Sequence, residues 1–312
     1  MTRAPLVTGG TGFAGTHLIE LLLEHYSTVH AWSNPGGRSA SRSDPRVHWR
    51  GVDLLDRDTV AKEIAGAQPS AVYHCGGVAD VGASWNRPAR ALQVNTLGTW
   101  YLLDAVDRAG LECRVVVTGS ALVYRPSADA LTEDSEICPT SPYGLSKLAQ
   151  EMAATRASRP GIVARAFNHA GPGQSDAYVT SAFARQIAEA EAGLREPVLR
   201  VGNLESRRDI TDVRDTIRAY VLLQERGRAG RAYNVCSGRA YRVSDLLDML
   251  IGMSRIRLRV ETDPDRMRKS DNPVVLGDSA RIREEVGWFP RIPIAQTLSD
   301  LLAYWRMRVA NL

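Results

Sequence analysis

Three glycines at steps of three separate a short apolar run from an amphipathic stretch near the N-terminus. They are Gly9, Gly12 and Gly15 in LVTGGTGFAGTHLIELLLEHY, residues 6–26. Where a strand leads into a helix, such glycines permit a tight turn, the approach of a ligand to the backbone, and packing of helix on strand. The helix N-terminus adds aligned amides that attract an anion. The loop predicts a βαβ unit that binds a dinucleotide, with a merely structural turn as the alternative.

Apolar runs of strand length alternate with helical patterns through the first half of the chain. This alternation is typical of βαβ units and a parallel sheet. We therefore predict an α/β protein with a Rossmann-type doubly wound parallel sheet and a smaller, interleaved α/β lobe that binds the substrate. The predicted strands lie near Leu6 and at residues 28–33, 47–49, 71–75, 114–120 and 161–168.

The pattern changes after residue 167, where HAGPGQSD is rich in turn-forming residues. We predict that residues 1–167 form the dinucleotide-binding domain and that residues 168–205 and 239–312 form the substrate lobe. Within residues 206–238, RAYNVCSG has the pattern of another buried strand. That segment is therefore predicted to return to the first domain.

Composition narrows the class of ligand. The chain has 312 residues and a net charge of +4, from 39 Lys and Arg against 35 Asp and Glu. This small, dispersed excess predicts a small anionic ligand and no nucleic acid. The absence of a long apolar run or a secretory pattern predicts a cytoplasmic protein without membrane contact. The cysteines at 75, 113, 138 and 236 lie far apart, which favours reduced, mostly buried thiols over disulfides or a metal site.

SPYGLSK places Tyr143 and Lys147 four residues apart at the start of a predicted helix, so both side chains leave one face. An ammonium group beside a phenol favours the phenolate and lowers its pKa toward neutrality, which suits an acid–base catalyst. Only three of the 39 cationic residues are lysines, which sets this lysine apart. Ser120, at the end of VVVTGS, is predicted to bond the oxygen that the phenol protonates. Asn95 is predicted to bridge a water or the backbone of the site.

The end of the second predicted strand bears on the choice of nicotinamide coenzyme. An acidic residue there would bond a free ribose 2'-hydroxyl and repel a 2'-phosphate. Ser33 and Asn34 occupy this end, and Arg38 and Arg42 follow, so NADP(H) is favoured and NAD(H) is the alternative. Asp53, after the third strand, is predicted to bond the adenine amino group, with a helix N-cap as its alternative role.

The combination of TGGTGFAG, DLLD, NTLGT, SALVY and YGLSK resembles the extended short-chain dehydrogenase/reductases, which act on nucleotide sugars. The resemblance covers nearly the whole chain. It implies catalytic roles for Ser120, Tyr143 and Lys147. It also implies a homodimer formed through the helices that precede and contain Tyr143.

The C-terminal half is similar to the GDP-4-keto-6-deoxy-D-mannose reductases and, more distantly, the GDP-mannose 4,6-dehydratases. The similar segments are ARAFNHAGPGQSD, RRDITDVRDTIRAY, AYNVCSG and DPDRMRKSDNPVVLGDSARIREEVGWFPRIP. The similarity implies that Asn168, Arg208 and Arg268 hold a nucleotide diphosphate, as suits guanidinium groups, with Arg207 as a rival of Arg208. The dehydratases carry a glutamate where this chain has Leu122, which favours carbonyl reduction over elimination of water.

The predicted function is NADPH-dependent reduction of a nucleotide-linked 4-keto-6-deoxyhexose, with GDP-4-keto-6-deoxymannose as favoured substrate and GDP-rhamnose as product. A nucleotide-sugar epimerase with tightly bound NAD and a non-catalytic dinucleotide sensor are the alternatives. The predicted catalytic residues are Ser120, Tyr143, Lys147 and Asn95. The predicted coenzyme-binding residues are Gly9, Thr11, Gly12, Phe13, Gly15, Ser33, Asn34, Arg38, Asp53, Leu54, Tyr143 and Lys147. The predicted substrate-binding residues are Asn168, Val179, Arg208 and Arg268, and no metal is predicted.

Overall fold

A computed structural model describes residues 3–37, 44–267 and 272–311 of the chain. Its strands are β1 (Leu6–Thr8), β2 (Val29–Ser33), β3 (Val47–Gly51), β4 (Ala71–His74), β5 (Arg114–Ser120), β6 (Ile162–Ala166), β7 (Asn168–Ala170), β8 (Val198–Val201), β9 (Arg207–Asp212), β10 (Ala232–Val235), β11 (Ala240–Arg242), β12 (Arg259–Thr262) and β13 (Val274–Val275). Its α-helices are α1 (Phe13–Leu22), α2 (Arg57–Ala67), α3 (Val81–Asn86), α4 (Pro88–Leu92), α5 (Gly98–Arg108), α6 (Pro142–Thr155), α7 (Val179–Glu191), α8 (Val213–Arg226), α9 (Val243–Gly252), α10 (Ala280–Val286) and α11 (Ile294–Ala310). A π-helical turn, Gln93–Leu97, joins α4 to α5.

Among the described residues, seven strands pair in parallel in the order β10-β6-β5-β4-β1-β2-β3. Neighbouring side chains of the central strand β1 point to opposite faces of this sheet. Val7 packs with Leu18 of α1 on one face, and Leu6 packs with Leu102 of α5 on the other. Helices therefore cover both faces, and the predicted Rossmann-type doubly wound sheet is confirmed.

The strand predicted at residues 161–168 is wrong as a single element. β6 ends at Ala166 and β7 begins at Asn168, which pairs with Ile210 of β9 outside the main sheet. Phe167 marks the break, because its side chain is buried while its amide still bonds the Val235 carbonyl of β10. The chain leaves the main sheet at this point and carries Asn168 toward the second lobe.

The second lobe is built on a smaller sheet with the order β11-β9-β13, in which β7 also pairs with β9. Strands β8 and β12 form a separate parallel pair. Helices α7, α9 and α11 close the lobe around a core that includes Phe183, Leu246 and Leu301. The carboxyl end of the main sheet therefore faces a separately packed lobe.

The chain passes between the two lobes at other positions than the predicted return of residues 206–238. β10 pairs with β6, and Tyr220 of α8 packs in the core of the main sheet. β9, however, belongs to the smaller sheet, so the return to the main layer starts after residue 212 rather than at 206. Trp288, predicted to lie in the second lobe, also packs in the first core.

The cysteines are free thiols, but their burial differs from the prediction. Cys236 is buried, whereas Cys75, Cys113 and Cys138 are partly exposed. Cys75 and Cys113 adjoin the ends of strands, where the packed layers give way to loops. In the described part of the chain, no helix combines the length and hydropathy needed to cross a bilayer.

The glycine turn provides a test of this packing. A methyl group at Gly15 would overlap the Gly9 carbonyl oxygen, whereas one at Gly66, exposed in α2, would meet no atom within 4 Å. We expect Gly15→Ala to lower the free energy of unfolding by about 2 kcal/mol, as overpacking does. Gly66→Ala should raise it by about 0.5 to 1 kcal/mol because alanine loses less backbone entropy. Urea titration measures both, and equal stabilities would contradict the close approach of α1 to the turn.

Candidate active site

A cavity of about 1700 Å³ opens at the carboxyl ends of the central strands. Thr8 of β1, Ser33 of β2, Ser120 of β5 and Ala166 of β6 all line it, as residues at the ends of their strands. Open α/β sheets bind their ligands in this crevice. A cavity for one small molecule usually measures about 300 to 1000 Å³, so this one has room for a coenzyme and a substrate together.

The glycine loop forms one wall of the cavity through a turn that requires glycine. Gly9 has a φ of +66°, and a Cβ there would lie 2.7 Å from the Gly76 Cα. Gly12 precedes α1 in extended conformation and provides no side-chain cap, so the first-turn amides of α1 have no side-chain partner from it. Amides at a helix N-terminus attract phosphate, so the loop fits the diphosphate of a dinucleotide.

The described residues that were predicted to bind the coenzyme all line the cavity. They are Gly9, Thr11, Gly12, Phe13, Gly15, Ser33, Asn34, Asp53, Leu54, Tyr143 and Lys147. Arg38 and Arg42 lie outside the described residues. Asp53 accepts a hydrogen bond from the Leu55 amide at 3.0 Å, whereas Asp56 caps α2. The alternative role of Asp53 as the cap of that helix is therefore wrong.

Helix α6 positions the acid–base pair. Its first turn is fixed by Ser141, which accepts a hydrogen bond from the Gly144 amide at 3.0 Å. Tyr143 and Lys147 are both buried, and the Lys147 Nζ lies 5.9 Å from the centre of the Tyr143 ring. Ser120, at the end of β5, lines the same cavity and lies close enough to the Tyr143 phenol to lower its pKa. The structure thus brings the predicted serine, tyrosine and lysine together at the cavity wall.

Burial governs the protonation of this pair. Loss of hydration raises the pKa of Tyr143 to about 12, although the hydrogen bond with Ser120 opposes the rise. Burial also lowers the pKa of Lys147 to about 8. The pKa of Tyr143 is raised rather than brought toward neutrality as expected, because desolvation of the phenolate is the largest effect on it. Tyr143 is protonated at neutral pH, which is the form that can donate a proton.

Asn95, predicted to be a catalytic residue, lies behind the cavity wall. It is fully buried and does not line the cavity. Its Oδ1 accepts from the Val78 amide at 2.8 Å, and its Nδ2 donates to the Val78 carbonyl and to the Ser146 Oγ. Both side-chain groups are used within the protein. Asn95 therefore bridges the backbone, as one of its predicted roles had it, and positions the loop after β4 against α6.

The described residues that were predicted to bind the substrate belong to the same cavity. Asn168, Val179 and Arg208 line it, whereas Arg268 lies outside the described residues. Arg207 and Arg208 are neighbours on β9, so their side chains point to opposite faces. Arg208 lines the cavity and Arg207 does not, which favours Arg208 as the residue that faces a ligand.

Several cavity residues were missed by the sequence analysis. Arg200 is exposed between buried Leu199 and Val201 on β8, and an arginine inside the apolar run VLRV was a usable signal. Trp85 and Tyr178 had no comparable signal, because Trp85 lies in the six-residue helix α3 and Tyr178 lies in the loop just before α7. His169 was also missed. Its ring stacks on Phe13 with 5.7 Å between centroids and an interplanar angle of 8°.

Comparison with known proteins agrees with this geometry. A family model described as GDP-mannose 4,6 dehydratase matches residues 6–301. A GDP-6-deoxy-D-mannose reductase of Pseudomonas aeruginosa is 36% identical over 99% of both chains. A solved structure of RMD from Pseudomonas aeruginosa complexed with NADPH superposes with a TM-score of 0.86, at 34% identity, over 98% of this chain and 100% of that one. A UDP-glucose 4-epimerase of Bacillus subtilis is 28% identical over 99% of this chain and 97% of its own.

The buried charge of Lys147 predicts a pH-dependent stability difference. The unfolded chain holds this proton up to its usual pKa near 10.4, so burial of the cation destabilises the fold at pH 7 and less so as pH rises from about 8. We expect Lys147→Met to gain stability relative to the parent at pH 7, and this gain to shrink by about 2 to 3 kcal/mol at pH 10. Urea unfolding of both proteins at the two pH values measures it. A difference that does not change with pH would contradict the buried ammonium.

Proposed function

The chain belongs to the GDP-mannose 4,6-dehydratase family of extended short-chain dehydrogenase/reductases, and we propose that it is the NADPH-dependent 4-ketoreductase of a GDP-linked 4-keto-6-deoxyhexose. The observation that carries this proposal is the meeting of Ser120, Tyr143 and Lys147 at a cavity with room for a dinucleotide and a second nucleotide. The relative with the NADPH complex supports the coenzyme, and the GDP-6-deoxy-D-mannose reductase supports the substrate class.

Each residue of the site has a definite task in this reduction. A coenzyme held at the glycine loop would supply the hydride that reduces carbon 4 of the sugar. Tyr143, protonated at neutral pH, donates its proton to the oxygen on that carbon. Ser120 bonds the same oxygen and orients it. The Lys147 ammonium stabilises the negative charge left on the Tyr143 oxygen, and the product is the alcohol.

Leu122 supports reduction rather than elimination. Its side chain lies at the cavity, where the dehydratases of the resemblance carry a glutamate. Elimination of water requires a group that moves a proton on the sugar ring, and an isobutyl side chain cannot do so. The same segment retains Ser120, whose Oγ also accepts a hydrogen bond from the Leu122 amide at 3.1 Å.

The diphosphate of the sugar nucleotide is assigned to the far side of the cavity. Arg208 and Asn168 provide a cation and an amide there. Guanidinium groups bind phosphate oxygens through paired donors. Thermal stabilisation by GDP, compared with UDP in the presence of NADP, tests the nucleobase, because a ligand that binds the native state raises the melting temperature. GDP should give the larger shift.

Replacement of Tyr143 tests the reaction. We expect the parent to oxidise added NADPH when supplied with GDP-4-keto-6-deoxymannose, and Tyr143→Phe to lower kcat by about 100-fold or more because the proton donor is lost. NADPH binding, followed by fluorescence, should persist in the variant. Tyr304→Phe, on α11 away from the cavity, is the matched control and should keep parental turnover. A parent that interconverts sugar nucleotides without consuming NADPH would be an epimerase.

An apolar surface supports the homodimer as part of this proposal. Leu97, Trp100, Leu145 and Met152 are each more than 40% exposed. They lie on the π-helical turn, α5 and α6, and α5 packs beside α6. Large exposed apolar groups on neighbouring helices mark an association surface. This surface lies on the two helices through which the family resemblance implies a dimer.

A charge on this surface should separate the protomers. We expect Trp100→Glu to shift the protein from dimer to monomer, since a carboxylate buried at an apolar interface loses its hydration without gaining a partner. Leu194→Glu, at a more exposed position in the turn after α7, should leave the dimer intact. Analytical ultracentrifugation distinguishes the two states. A parent that sediments as a monomer would overturn the assignment of this surface.

A further inference from the structure

A chain of buried hydrogen bonds runs behind the acid–base pair and belongs to neither ligand site. The Lys147 Nζ donates to the Thr118 carbonyl and to the Gln150 Oε1, each at 2.8 Å. The Gln150 Nε2 donates to the Thr99 Oγ1 at 2.9 Å. Gln150 and Thr99 are fully buried and do not line the cavity. The lysine is therefore held from behind by a side chain that neither the coenzyme nor the sugar touches.

Thr99 determines which groups donate and which accept in this series of hydrogen bonds. Its hydroxyl donates to the Asn95 carbonyl at 2.7 Å, so its oxygen can only accept from its other neighbours. One of these is Gln150, whose amide nitrogen must therefore face Thr99. The other is the His74 Nε2 at 2.8 Å. With its nitrogen committed to Thr99, Gln150 can present only its carbonyl oxygen to Lys147.

His74 extends the chain to the glycine loop. Burial lowers the pKa of His74 to about 3, so the ring is neutral at neutral pH. A proton on Nε2 leaves Nδ1 to accept from the Thr8 Oγ1 at 2.7 Å, and Thr8 in turn accepts from the Gly76 amide at 3.0 Å. This tautomer gives the hydroxyl hydrogens of Thr8 and Thr99 and the ring hydrogen of His74 an acceptor each. The direction of the Gln150 amide is thus fixed by a network that reaches from α6 to β1.

The groups that surround Lys147 carry no negative charge at neutral pH. Neutral His74 comes from β4 and Cys75 follows that strand, and burial raises the pKa of the Cys75 thiol to about 12. Tyr143 on the same helix is protonated, as is Tyr220 of α8, whose pKa burial also raises. β5 contributes only the Thr118 carbonyl. The Lys147 ammonium is therefore held by neutral acceptors.

The next residue along α6 shows that a carboxylate was available to the fold but is used elsewhere. Glu151 is buried and pairs with Arg165 of β6 through two hydrogen bonds, of 2.9 and 2.5 Å. The Glu151 carboxylate thus balances the charge of the buried Arg165 guanidinium. Lys147 lies one helical turn before Glu151, and its ammonium bonds the side-chain amide of Gln150 instead. The contrast places the neutral acceptor beside the cation that faces the cavity.

We propose that Gln150 is a positioning residue that fixes the Lys147 ammonium beside Tyr143 through a neutral acceptor, which leaves the positive charge uncompensated and directed at the reacting groups. The inference rests on the proposed reductase for its effect on turnover. Its effect on Lys147 itself does not depend on any activity. An amide and a carboxylate have nearly the same shape, so Gln150→Glu changes the charge of the acceptor while retaining its reach.

The test uses the three lysines of the chain, which give three signals in ¹³C-lysine NMR, with Lys147→Met assigning the relevant one. In the parent, one lysine should titrate near pH 8. In Gln150→Glu, this titration should move up by at least about one pH unit, because a carboxylate favours the ammonium. Gln224→Glu, which also buries a carboxylate but lies on α8 beside Arg114, is the control and should leave the Lys147 titration in place.

Turnover provides the second measurement. The alkaline limb of the kcat profile for NADPH oxidation should move up with the Lys147 titration in Gln150→Glu, and kcat at pH 7 should fall about 10-fold or more while the KM for NADPH changes less. If Gln150→Glu does not fold, Gln150→Leu replaces it and should lower the Lys147 titration further, because an acceptor is lost. An unchanged Lys147 titration in the folded variant overturns the proposal. A shifted titration in a protein that never oxidises NADPH supports it and defeats the reductase instead.

Discussion

The close approach of two backbone segments, the glycine turn after β1 and the residues after β4, is the constraint on which the site depends. A Cβ at Gly9 would lie 2.7 Å from the Gly76 Cα, and the Gly76 amide bonds the Thr8 hydroxyl. No larger residue allows this contact at a φ of +66°. The contact leaves the first turn of α1 open to phosphate, and it brings His74 and Cys75 under the turn toward Lys147. The coenzyme loop and the acid–base pair are thus built as one unit.

The site also keeps a buried cation that the fold could have neutralised. Taking an ammonium group out of water is unfavourable, and proteins usually compensate with a carboxylate, as Glu151 does for Arg165. Lys147 has two neutral acceptors instead. Its charge therefore acts on Tyr143 and on whatever anion enters the cavity. A buried ammonium group that has no carboxylate partner is characteristic of a functional site rather than a structural one.

Much of the fold and a good part of the site could be predicted, because local patterns carry them. The spacing of Gly9, Gly12 and Gly15 predicted the turn, and the spacing of Tyr143 and Lys147 predicted that they share a helical face. The pKa of Tyr143 could not be predicted in the same way. Its direction depends on desolvation, which is a property of the packed layers and not of two residues four apart. The burial of Asn95 behind the cavity could not be predicted for the same reason, since its partners Val78 and Ser146 come from other segments of the chain.

The βαβ order, the glycine turn and the helical face that Tyr143 and Lys147 share could be read from the chain alone, because each of these follows from periodicity or from what glycine alone permits. The packed structure was needed to establish which of Arg207 and Arg208 lines the cavity, where the chain leaves the main sheet at Phe167, and which way the Gln150 amide points. These depend on strand register and on donors and acceptors that meet across β1, β4, β5 and α6. Such contacts join residues far apart in the chain, and no local pattern records them.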